Sequence, residues 1–326
     1  MTTRRAFLAT FAGGFLAAPR SAVAQPAAKV YRVGVVLQGG PYYAAVDGLR
    51  AGLKELGFEE GKQYILHIRD VKGDRNAVSE TAKILEREKV DVIYSLNTSV
   101  SMAAQRATTT VPIVFYAGRD AVDAGLVKSL ARPGGRLTGV QARTTDLTAK
   151  CLEILKDIVP KLRHVMHFYH PDNPTARESS RLARDAARQL RIELVERHVR
   201  SVDELRAGLR MLKAGEADAI LVVGDGMVTS QAQLVIDAAR ARKLPTMFNE
   251  RTSVVAGGLA SYGASYHGLG RMAAKHVHRV LLGTSPADLP VERSDRFELV
   301  INLKTARAIG LTIPQSVLGR ADEIIQ

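Results

Sequence analysis

The chain has 326 residues, 24% charged and 46% hydrophobic, with 12 Pro and 27 Gly, an ordinary globular composition that excludes a disordered or fibrous protein. A lone cysteine, Cys151, excludes an intramolecular disulfide framework and a zinc site built on cysteine pairs. The net charge of +13 raises nucleic acid as a partner, so the chain's destination has to be read first.

Residues 1–24 read as an address. Arg4 and Arg5 precede an apolar run from Ala6 to Ala18, and Ala22-Val23-Ala24 offers a small-residue cleavage site after Ala24. Thr3-Arg4-Arg5-Ala6-Phe7-Leu8 is similar to the twin-arginine export motif, with a general secretory signal as the alternative. The run is too short to span a bilayer. Removing this segment takes away Arg4, Arg5 and Arg20 and leaves a net charge of +10. A free periplasmic protein is expected, and DNA is not a sensible partner there.

From residue 28 onward two similar series of strands alternate with helices. The first series is Val33–Leu37, Tyr64–Ile68, Val90–Ser95, Ile113–Tyr116 and Leu137–Val140. The second is Val165–Tyr169, Glu193–Val199, Ala219–Val223, Thr246–Phe248 and Leu259–Ser261. Helical periodicity marks Tyr43–Leu56, with Gly57 as its stop, and Ser79–Glu88, Thr175–Gln189, Ser201–Lys213 and Ser230–Arg242. Ser201 and Glu204 form a capping box. Strands apolar on both faces, alternating with helices, predict an α/β fold of two Rossmann-like lobes with parallel sheets. The expected lobes are 28–142 with about 266–292, and 143–265 with about 296–326. Crossovers are expected near Gln141–Thr145, Ala264–Leu269 and Val291–Arg296. A ligand would lie between the lobes, at the carboxyl ends of the strands.

The loops after those strands supply the candidate binding residues. In the first lobe they are Gln38, Tyr42, Asn97, Thr98, Ser99, Tyr116, Arg119 and Asp120. Free amides at the helix start near Thr98 and Ser99 suit a carboxylate. In the second lobe they are Tyr169, Asn173, Asp225, Asn249 and Tyr262. Asp225, between two glycines, reads equally as a partner for a ligand ammonium and as a helix cap. Aromatic residues gather at strand ends, and Tyr42, Tyr43, Tyr116, Tyr169, Tyr262 and Tyr266 read as cleft lining. Of these, Tyr42, Tyr116, Tyr169 and Tyr262 enter the site set. His164, His167 and His170 recur every third residue on a strand and so alternate faces, which argues against a metal site. No metal or other cofactor is expected, and no nucleophile elbow, P-loop or dinucleotide fingerprint points to an enzyme.

Several long segments carry a resemblance. They are Glu55-Leu56-Gly57-Phe58-Glu59-Glu60-Gly61-Lys62, the run from Gly125 to Gly135, Gly257-Gly258-Leu259-Ala260-Ser261-Tyr262-Gly263, and the C-terminal run Phe297 to Lys304 with Ala308 to Pro314 and Arg320 to Glu323. From about Val30 to its C-terminus the chain resembles the substrate-binding proteins of ABC transporters related to the tryptophan-binding TrpX type. That resemblance implies the type I periplasmic-binding-protein fold. It implies a monomer that captures a small solute, an amino acid or related carboxylate, and delivers it to an inner-membrane ABC permease with its ATPase. Relatives carry a small residue and then Asp-Pro where this chain has Arg119-Asp120-Ala121, a departure that favours an anionic solute if Arg119 faces the cleft and is neutral about the solute if Arg119 pairs with Asp120 or Asp123. An extracytoplasmic sensor signalling to a membrane receptor is the alternative use of the same fold.

Overall fold

The computed structural model describes residues 29–326, so the export-signal reading of residues 1–24 lies outside the described residues. The first five strands are β1 (Tyr31–Leu37), β2 (Tyr64–Asp70), β3 (Val92–Leu96), β4 (Ile113–Ala117) and β5 (Leu137–Gln141). The next five are β6 (His164–Tyr169), β7 (Glu193–His198), β8 (Ala219–Val222), β9 (Thr246–Phe248) and β10 (Ala260–Gly263). Three more follow: β11 (Glu292–Arg293), β12 (Glu298–Asn302) and β13 (Glu323–Ile325). They form two sheets, in the orders β11-β5-β4-β3-β1-β2 and β13-β12-β10-β9-β8-β6-β7. β3, β4 and β5 are buried along their whole length, as parallel strands covered by helices on both faces must be.

Each sheet carries a core on either face. In the first lobe, one core joins Val33, Val35 and Tyr94 to the helix Tyr43–Glu55; the other joins Val36, Ile93 and Phe115 to the helices Ala77–Arg87 and Thr98–Ala107. The second lobe is built likewise around Val165 and Leu221 on one face and Met166 and Phe248 on the other. Gly57 ends the first helix in a left-handed turn, with its amide on Lys54 O and that of Phe58 on Leu53 O, which closes off the last carbonyls.

The chain passes between the sheets three times, after β5, after β10 and after β11. The helix Tyr266–Leu281, which follows the second lobe's β10, lies in the core of the first lobe through Tyr266, Leu269, Ala273 and Val277. Two glycines allow this. A Cβ on Gly48 would stand 2.0 Å from His267 O, and one on Gly270 would stand 1.9 Å from Ala45 O, so the two helix backbones touch.

Two local expectations are corrected. The second sheet is not wholly parallel, because β12 runs antiparallel to β10. Its chain arrives directly from the other lobe across a short link, without the crossover helix a parallel neighbour needs. The helix expected over Ser230–Arg242 is present as Ala232–Ala241, and a short helix that was not expected, Gly226–Ser230, precedes it and ends at Gln231. There Ser230 turns its hydroxyl back onto Met227 O.

Candidate functional site

The loops at the carboxyl ends of both sheets face each other and touch. Ser99 Oγ donates to Asn173 Oδ1 at 3.1 Å across the cleft. Arg75 Nη1 and His170 Nδ1 approach to 3.3 Å. A Cβ on Gly40 would stand 2.4 Å from Ser230 O, and one on Gly226 would stand 2.1 Å from Gln38 Oε1. The two lobes are therefore in contact across the cleft, and a small cavity lies between them.

The first lobe contributes an aromatic wall and a helix start. The rings of Tyr42 and Tyr266 stack at 5.2 Å, and Tyr116 tilts against Tyr266 at 5.6 Å. Burial pushes the Tyr116 phenol up to about 12, and Tyr42 and Tyr266 are raised by the same cause, so all three present neutral hydroxyls. The helix Thr98–Ala107 points its N-terminus into the cavity. Asn97, held at φ 83°, accepts the Val100 amide on its side chain, and its carbonyl accepts the amide of Ser101. The amides of Thr98 and Ser99 precede the first intrahelical bond and are available to an anion. Thr98 Oγ1 accepts the amides of Gly118 and Arg119, which fixes the helix start to the loop after β4.

The second lobe contributes polar groups with unmet demand. Asn249 Oδ1 and Thr175 Oγ1 are buried without a hydrogen-bond partner, and both residues line the cavity. Such groups cost about 1–3 kcal/mol each unless something binds them. Asp225, also in the lining, is occupied. Its Oδ1 accepts the amides of Met227 and Val228, and its Oδ2 accepts that of His170 and the side-chain amide of Asn173. Of the two roles open to Asp225, the geometry shows the cap, which leaves its charge to act on a ligand only through space.

Tyr42, Asn97, Thr98, Ser99, Tyr116, Asp225 and Asn249 are thus brought together around one cavity. Gln38 and Asn173 stand behind it, Gln38 accepting Asn97 Nδ2 at 2.9 Å and Asn173 capping the helix Pro174–Leu190. Four expected residues lie elsewhere. Asp120 folds back to cap its own turn through the amides of Val122 and Asp123. Tyr169 shares a strand face with His167, stacks on it at 5.5 Å and hydrogen-bonds His198 Nε2 at 2.8 Å. Tyr262 tilts against Phe297 beside the antiparallel β12. Arg119 makes no ion pair among the described residues and is outside the cavity lining. It lies near Glu178, where its charge adds to that of Arg181 in lowering the carboxyl. Tyr43 also points out, to Asp70.

The site has residues that strand-end reasoning does not reach. Thr144 and Thr145 line the cavity from the crossover after β5 and Thr175 from the start of a helix. Tyr266 had a signal, as one of the aromatics near a strand end, whereas the threonines had none.

Two α/β lobes whose strand ends meet around a small cavity lined by tyrosines and polar groups define a type I periplasmic-binding-protein fold. The chain belongs to the ABC transporter substrate-binding protein family, whose model matches residues 31–325. It is 30% identical to a tyrosine-binding protein of Clostridioides difficile (strain R20291) over 269 residues, covering 82% of this chain and 76% of that one. A conserved domain protein from Vibrio cholerae superposes with a TM-score of 0.81 at 30% identity, over 91% of this chain and 100% of that one. At 26% identity and the same coverage, the TM-score is 0.79 to a Streptococcus pneumonia domain in complex with L-Trp. It is 0.58, at 25% identity and again over 91% and 100% of the chains, to the ligand-free, open structure of a Clostridium difficile substrate-binding protein with adhesive properties. The difference in fit agrees with the lobe-to-lobe contacts, which close this chain's cleft. No helix among the described residues is long and apolar enough to cross a membrane.

Proposed function

We propose that the chain is the extracytoplasmic solute receptor of an ABC importer and that its solute is an α-amino acid, in the first instance an aromatic one. The observation that carries this reading is the pair of unpartnered buried acceptors, Asn249 Oδ1 and Thr175 Oγ1, facing the open helix start at Thr98 and Ser99. The helix amides receive the carboxylate. Asn249 and Thr175 receive the ammonium, helped through space by Asp225. Tyr42, Tyr116 and Tyr266 surround the side chain. The tyrosine-binding relative and the L-Trp complex support an aromatic solute. The lobes, taken as 28–142 with 266–292 and 143–265 with 296–326, swing together about the three crossovers, and the monomer presents its closed face to the permease. The ligand favours closure because it touches both lobes only in that state.

The test is thermal denaturation of protein unfolded and refolded to strip carried-over solute, against the amino acids, other carboxylates, nucleosides and sugars. A ligand at 1,000 times its Kd stabilises by about 4 kcal/mol, several degrees for a chain of this length. Stabilisation by amino acids is expected. Stabilisation by sugars or nucleosides alone would overturn the reading.

A further inference from the structure

Beside the solute cavity lies a second one, of about 310 Å³, at the mouth of the closed cleft. Ser99 lines both. Its walls are rich in donors. Arg75 and Arg106 border it, and neither has a carboxylate within 4.0 Å among the described residues. Burial lowers Arg75, Asp225 and Asp172 oppose it, and the charges of Arg106 and Arg177 add smaller lowering contributions. Two cations thus share this space, neither of them in an ion pair among the described residues. Gln38, 1% exposed, reaches only Gly73 O with its Nε2, at 3.5 Å, and also lines the space. The first turn of the helix Ala77–Arg87 adds Ser79, and its N-cap residue, Asn76, makes no side-chain capping bond. Glu80 on the same turn faces away, to Arg87 at 2.8 Å. The one acid in the wall, Asp172, comes from the other lobe and lies 3.8 Å from Arg200.

We propose that this vestibule binds an oxyanion, a carboxylate or phosphate group held by Arg75, Arg106, Gln38 Nε2 and the start of the helix Ala77–Arg87. Guanidinium groups match oxyanions in charge and in fork geometry, and the partly buried Arg75 is screened less by salt than an exposed cation. Arg75 already reaches the second lobe through His170, so a bound anion neutralises the cations on both sides of the cleft mouth and steadies the closed state. The anion is either a distal acidic group of the solute itself, reaching past Ser99, or a separate small anion. The site rests on the proposed function only in needing the closed cleft.

Inorganic phosphate is the probe. Full-length chain, refolded and then saturated with L-tyrosine, is titrated calorimetrically with phosphate in chloride buffer of matched ionic strength, as wild type, Arg75→Gln and Arg106→Gln. Saturable one-to-one binding is expected in the wild type, weakened at least tenfold in each variant. Arg106 is exposed and makes no side-chain hydrogen bond among the described residues, so its variant reports on the site free of any folding defect. A second arm compares L-phenylalanine with p-carboxy-L-phenylalanine. Phosphate competing with the carboxylated compound alone assigns the site to the solute's own acid, and phosphate binding alongside both assigns it to a separate anion. Phosphate heats absent from the wild type, or unchanged in both variants, would overturn the proposal.

Discussion

Gly226 of the second lobe meets Gln38 of the first so closely that a methyl group on Gly226 would lie 2.1 Å from Gln38 Oε1 and 2.7 Å from Asn97 Nδ2. Nothing within the second lobe approaches that position as nearly, and Gly226 has no positive φ. The contact belongs to closure and not to the folding of either lobe. Gly226→Ala should therefore lower solute affinity at least tenfold while leaving the melting temperature of the solute-free protein within about 2 °C, as expected for a change that leaves each lobe's interior untouched. Calorimetric titration and thermal denaturation of the same preparation check this; unchanged affinity would show that the two lobes close differently.

Asn249 bears on binding with the opposite signature. Its Oδ1 is buried and unpartnered without a ligand, so removing it relieves a cost in the empty protein and forfeits a bond in the complex. Asn249→Ala should bind the solute about 10- to 100-fold more weakly, in line with the ~1.5–3 kcal/mol of a hydrogen bond to a charged group. The empty variant should melt no more than slightly below the wild type. Loss of stability with retained affinity would make Asn249 a structural residue.

A third expectation concerns pH. His170 Nδ1 lies 3.1 Å from the Asp172 amide and 3.3 Å from Arg75 Nη1, two donors that require this nitrogen unprotonated. Burial lowers the His170 pKa and the Arg75 charge lowers it further, while Asp225 and Asp172 oppose and Arg200 adds a little. With the closed-state pKa below the ordinary 6.5, the contribution to closure is complete above pH 6.5 and is lost as the pH falls through the depressed value. Solute affinity should thus be flat near pH 7.5 and fall severalfold by about pH 5. His170→Asn should flatten that fall. His167, also lowered by burial, lies wholly inside the second lobe and should affect melting and not affinity.

The tyrosines separate cavity lining from sheet edge. Tyr266→Phe, which removes a hydroxyl from the wall, should change solute affinity by about 0.5–1.5 kcal/mol, or roughly 2- to 13-fold. Tyr169→Phe and Tyr262→Phe should leave affinity unchanged, since one ring faces His198 and the other Phe297. A titration series over the three variants decides.

What the sequence disclosed follows from this chemistry. Strands buried on both faces are continuous apolar runs, and all ten strands read from the sequence are present within a residue or two of their expected ends. Loops after β1, β3, β4, β8 and β9 reach the cavity because strand ends converge there. Polar residues in the same loops were harder to sort. Asn173 and Asp120 satisfy backbone amides of their own turns, a use that looks the same in a sequence as a ligand contact. Tyr169 lies outside the cavity lining, since alternation pairs it with His167 but does not say which side holds the cavity. Thr144 and Thr145 enter from a crossover, and their place depends on how two lobes meet, which no local pattern records.

The central claim is that the closed cavity holds an amino acid by its carboxylate and ammonium. It is tested most directly by calorimetric titration of the refolded chain with L-tyrosine, with tyramine, which lacks the carboxylate, as the comparison. The account predicts saturable one-to-one binding of L-tyrosine and at least 100-fold weaker binding of tyramine, because the amides of Thr98 and Ser99 would lose their anion. Equal binding of the two, or no binding of L-tyrosine, L-tryptophan or L-phenylalanine, would contradict it.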